Sequence, residues 1–237
     1  MSSNPLRPRV SGRDALSRIA EVLLVLGTAC GVGYATYLTF LVVPNERLMG
    51  PVQRIFYFHV GSAMACYAAC AVLLVASLWV LATRSRVADA IGHAAGEVGF
   101  LFALIVMVTG MIWGHSAWNT WFRWEPRLVT FLLLCLVFFG LNLLRAFGDS
   151  AKRPQHAAVL GIVSAVTVPL VWYSVKLLPH VAQLHPQVVE NRGLKEPLFE
   201  YTMFIAMISL VLLQALLIWY RARVEILKQR VDQLTLE

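Results

Sequence analysis

The sequence predicts an all-α, polytopic integral membrane protein with six transmembrane helices and both termini on the cytoplasmic side. Three observations carry that prediction. Hydrophobic residues make up 59% of the 237 and charged ones only 14%, with a mean hydropathy of +0.69, far from the balance of a soluble globular domain. Apolar windows of about 20 residues, enough to cross roughly 30 Å of hydrocarbon, occur six times. No alternating strand pattern of a barrel is present, and a backbone in lipid must satisfy its own polar groups, so each window reads as a helix.

Residues 1–18 are a polar, basic arm (Arg7, Arg9, Arg13, Arg18), and the apolar run that follows is long enough to span and lacks a small-residue cleavage site. Residues 19–43 therefore read as a retained first helix and not a removed signal peptide. The next spans are expected at 55–82, 98–112, 128–146, 157–175 and 198–220, the third being short unless its start slides back to His93. The segments 44–54, 113–127 and 176–197 are the long ones, whereas TRSRVAD and FGDSAKRPQ, on the other side, are short and charged. Beyond residue 220, Val224, Leu227, Val231 and Leu234 recur at helical spacing, so 221–237 reads as an amphipathic, solvated tail on the six-helix domain 19–220.

Orientation follows from the basic residues. With the termini inside, 13 of the 20 Lys and Arg are cytoplasmic and 7 lie outside, in the sense of the positive-inside rule. The formal charge of +7 is then a topology signal, and membrane lipid, not nucleic acid, is the expected surroundings. The long outer segments make that face the expected seat of function.

Segment 113–127 (WGHSAWNTWFRWEPR) holds four of the chain's seven tryptophans. Interfacial indole is the ordinary explanation for such density. Gly114 and Pro126, with Arg123, Glu125 and Arg127 among the indoles, suggest instead a shaped surface for a flat ligand. Cys30, Cys66, Cys70 and Cys135 all fall inside spans without a C-x-x-C or C-x-x-C-H pattern, which excludes a redox pair and a covalent haem site and leaves small buried hydrophobes. Of six histidines, His93 and His156 sit near inner span ends, where an interfacial imidazole needs no special role. His59 lies within an apolar span and is a functional candidate by default, a histidine bonded to a neighbouring helix being the alternative. His180 and His185 open the last outer segment. Imidazoles from separate segments beside a flat aromatic wall and two arginines match the needs of iron porphyrin: nitrogen for iron, indole faces for the ring and guanidinium for the propionates.

The run WGHSAWNTWFRWEPRLVT also resembles the tryptophan-rich motif of the haem-handling membrane proteins of cytochrome c biogenesis, matched by Trp113, Gly114, Trp118, Trp121, Trp124, Arg127, Leu128 and Thr130. With six spans, R-I-F-Y-F-H-V around His59, and Y-S-V followed by L-H at Leu184 and His185, the chain is similar to the CcmC (haem exporter protein C) family from Pro51 through the last span. Glu125 stands where the family has aspartate, Phe122 where a second aromatic Trp is common, and Asn119 where Gly is common.

The resemblance implies a carrier and not an enzyme, set in a bacterial inner membrane. It would hold non-covalent haem b at the periplasmic face and deliver it to a periplasmic haem chaperone (CcmE type). His59 and His185 would be the axial ligands, with His180 the alternative to His185. Trp113, Gly114, Trp118, Trp121, Phe122, Arg123, Trp124, Glu125 and Arg127 would form the platform, Glu125 fixing it, steering a partner's cation, or pairing with Arg123 or Arg127. Further implied partners are ABC transporter subunits (CcmA and CcmB type), which would supply the ATPase since no phosphate-binding G-x-x-x-x-G-K-[ST] loop occurs here, and a small single-span accessory protein (CcmD type). A membrane b-type cytochrome and a haem channel are the rival readings. The cytochrome is expected to put paired histidines inside the bilayer, where only His59 lies clearly within a span.

Overall fold

A computed structural model describes residues 12–47, 49–177 and 196–234. Its elements are α1 (Gly12–Tyr37), which runs on as a π-helical turn (Leu38–Val42), a 3₁₀ turn (Pro51–Gln53) leading into α2 (Arg54–Thr83), α3 (Arg86–Trp118), α4 (Pro126–Phe147), α5 (Arg153–Leu177) and α6 (Pro197–Leu234). Six helices are long and apolar enough to cross a membrane, and the described residues hold no β-sheet. The fold is all-α, as expected.

Helix α2 is the centre of the bundle, packed against α3, α5 and α6; α4 lies on α5 and α3, and α1 on α6. Small residues make this possible. Gly61, Ala65 and Ala69 are buried on α2, and a Cβ at Gly61 would meet the Ala206 carbonyl of α6 at 3.0 Å. Close backbone approach replaces the hydrophobic drive that lipid does not provide between helices. The core between α2, α3 and α4 is filled by Leu73, Phe102, Leu134, Phe138 and Leu141.

Two boundaries differ from expectation. Helix α3 begins at Arg86 and not near 98. Hydropathy alone stops where Asp89, His93 and Glu97 enter, but the helix continues because each of them meets a partner: Arg145 of α4 bonds Asp89 at 2.6 Å, His93 lies 3.2 Å from Glu97 and 3.4 Å from Glu225, and Arg221 of α6 pairs with Glu97 and Glu225. The Ser85 side chain caps the start by accepting from the Ala88 N–H. At its other end α3 carries helix through Trp118, so the segment 113–127 is loop only from Asn119 to the Glu125 cap of α4. The tail continues the last span as a helical extension: α6 runs unbroken for 38 residues, about 57 Å at 1.5 Å per residue, so its last turns extend past any hydrocarbon slab. Val224, Leu227, Val231 and Leu234 are exposed there.

Candidate functional site

One cleft opens at the end of the bundle where α2 and α4 begin and α3 and α5 end, and it encloses about 1330 Å³ with its open mouth included. Its position follows from the local sequence. Asn119 closes α3 in a left-handed conformation (φ 53°), its N–H donating to the His115 carbonyl at 2.9 Å. Asparagine accepts that geometry better than most other residues with a Cβ. The chain then folds back over α3. The Thr120 carbonyl comes so near that a Cβ on Gly114 would lie 3.1 Å from it, which is the physical demand for glycine in the motif. Pro126 at the first turn of α4, preceded by extended Glu125, starts the next helix.

The cleft wall includes His59, Trp113, Gly114, Trp118, Trp121, Phe122, Arg123, Glu125 and Arg127. Trp124 is not part of it. That residue is 78% exposed and stands edge-on to Phe122 with ring centres 5.4 Å apart, turning the motif's outermost indole to the surroundings. Trp113 differs in the opposite sense: at 4% exposure it is buried, packed between Phe56, His59 and Trp118. Its indole Nε1 has no hydrogen-bond partner. A buried, unpaired N–H in a cleft wall is a donor awaiting an acceptor.

Trp121 is half exposed, and one face of its ring is covered by the His115 imidazole, with centres 4.1 Å apart and planes 5° from parallel. The stack holds the indole rigid and leaves the opposite face to a flat ligand. Nothing in the sequence set His115 apart from the loop histidines; the stack exists only because the loop returns over α3. Glu125 is 3% exposed and its Oε1 lies 3.5 Å from Arg123 Nε. That ion pair was one of the expected alternatives, and burial leaves the carboxylate little surface for a partner. Arg127 donates to the Trp172 carbonyl at 3.4 Å, tying the start of α4 to the end of α5.

His59, in the second turn of α2, is partly buried and reaches across to α3, its Nδ1 3.0 Å from Thr109 Oγ1. Around it the cleft is apolar, with Met64, Tyr67, Met107, Met111 and Trp172 among its walls. Tyr67 of α2 and Met107 and Met111 of α3 share helical spacing with His59 and Gly114 respectively, a signal present in the sequence; Trp172 comes from α5 and carried none. His180 and His185 lie outside the described residues. The arrangement suits a planar, mostly apolar ligand bearing anionic groups at one edge and a metal that accepts imidazole.

A family model described as heme exporter protein C matches residues 11–237. The heme exporter protein C of Bradyrhizobium diazoefficiens is 30% identical over 192 residues, covering 81% of this chain and 73% of that protein. That of Paracoccus denitrificans is 31% identical over 199 residues, with 81% and 80% covered. That of Escherichia coli K12 is 30% identical over 162 residues, with 68% and 63% covered.

Proposed function

The chain belongs to the heme exporter protein C family, and from that premise we propose that it binds non-covalent haem b in the cleft beneath the tryptophan-rich segment and hands it to a periplasmic haem chaperone. Membership carries haem export in cytochrome c maturation and a multi-pass location in the bacterial inner membrane. The observation that carries the finer reading is the meeting, in one cleft, of a membrane-embedded imidazole with four indoles and two guanidinium groups.

The residues fit iron porphyrin. His59 offers a nitrogen for the metal, Trp118 and Trp121 offer faces for the ring, and Arg123 and Arg127 offer charge-assisted bonds to propionates. The unpaired Trp113 N–H is a further donor for a carboxylate or water. His59 and His185 would hold the haem iron, and two imidazole ligands would suppress its chemistry with oxygen. The chain's own work is then to bind, orient and release. Trp124, exposed at the edge of the site, suits contact with the receiving chaperone of CcmE type. ATP-driven steps would belong to subunits of CcmA and CcmB type, and the accessory protein of CcmD type would pack on the bundle.

The purified protein should show the spectrum of a b-type haem after reduction, and acidified organic solvent should strip the pigment. His59→Ala should lower haem content or shift the Soret band, while His156→Ala should do neither. Of His180→Ala and His185→Ala, the second should lose haem and regain it with imidazole. Pigment that stays with the polypeptide on extraction, or His59→Ala with wild-type haem, sinks the reading.

A further inference from the structure

We propose that Thr109 is a positioning residue for His59, setting which ring nitrogen faces the ligand. The inference rests on the haem-binding reading above and goes one residue further into α3. The Thr109 hydroxyl has one proton. It is 2.6 Å from the Ile105 carbonyl and 3.3 Å from that of Val106, and these oxygens can only accept. The hydroxyl therefore donates along its own helix and turns a lone pair to His59 Nδ1, 3.0 Å away. Nδ1 must then carry the hydrogen, and Nε2 is the basic nitrogen of the neutral ring. A histidine that ligates a metal through one nitrogen donates its other N–H to a fixed acceptor in this way, which holds ring plane and tautomer together.

Gly110 completes the seat. A Cβ there would lie 3.0 Å from His59 Cε1, so glycine lets the Cε1 edge of the imidazole approach α3 this closely, where a side chain would press on the ring. Neither Thr109 nor Gly110 belongs to the tryptophan-rich motif. They sit one helical turn before Trp113, the first indole of the motif, so the helix that delivers the platform also orients the imidazole.

The test is haem titration of the full-length protein in detergent, followed by the reduced absorption spectrum. Thr109→Val, which keeps the shape and removes the acceptor, should bind haem about tenfold more weakly, and Thr109→Ser should bind as the wild type does. The discriminating measurement is made in a His59→Gly background with added imidazole, where the free ligand no longer hangs from α2. Adding Thr109→Val there should leave imidazole-rescued binding within about twofold of that background, because its effect runs through the tethered ring. A tenfold loss in both backgrounds would make Thr109 a packing residue and overturn the proposal, as would undiminished binding by Thr109→Val alone. If His59→Gly without imidazole binds haem like the wild type, the reading of the cleft itself fails, and this inference falls with it.

Discussion

Trp113 and Trp124 stand eleven residues apart in one motif and meet opposite conditions, the first 4% exposed and the second 78%. Trp113→Ala should open a cavity between α2 and α3 and cost about 3–5 kcal/mol, read as an earlier midpoint on thermal unfolding in detergent. Trp124→Ala should stay within about 0.5 kcal/mol of the wild type and still slow haem transfer to a purified chaperone. A large stability loss at Trp124 would show that its ring is buried after all. Motif membership says nothing of this difference, because one-letter spacing does not report which side of a returning loop a ring occupies.

At the scale of elements, the link from α3 to α4 decides the shape of the platform. Asn119 holds φ at 53°; Asn119→Val should be destabilising by about 1–2 kcal/mol because a branched Cβ clashes in the left-handed region, and Asn119→Gly should match or exceed the native stability. Gly114→Ala should push the Thr120 carbonyl, 3.1 Å from the new methyl, and weaken haem binding without unfolding α3. Circular dichroism against haem titration separates the two effects. At the opposite end of α3, Asp89 and Arg145 pair at 2.6 Å with little exposure. Removing one partner strands a half-buried charge, so Arg145→Met should cost about 1–3 kcal/mol, while Asp89→Asn combined with Arg145→Met should recover most of it. Equal losses in the single and double variants would mean that packing, not charge, is what Arg145 supplies.

For the whole molecule, the odd and even helices run in opposite directions, so the cleft and the cluster of Arg145, Arg221 and Glu97 lie at opposite ends. The excess of Lys and Arg at the cluster end is what the expectation of a cytoplasmic side rests on. Cysteine placed at Ser116 or Asn119, both exposed at the cleft end, in a chain without its native thiols, should react with an impermeant reagent from the periplasmic side. Reaction from the cytoplasmic side alone would invert the topology.

Six spans, their all-α nature and the tryptophan-rich motif were legible in the sequence, because the bilayer imposes a length and a composition that local reading detects. His59 was legible too, as an ionisable group where lipid tolerates few. The early start of α3, the burial of Trp113, the outward Trp124, the His115 stack on Trp121 and the hold of Thr109 on His59 were decided only in three dimensions. Each depends on what another helix brings within a few ångströms: Arg145 and Arg221 for the charges of α3, the returning loop for Trp121, α3 itself for His59. A sequence specifies which groups need partners, and tertiary packing alone determines which partners arrive and which faces are left for a ligand.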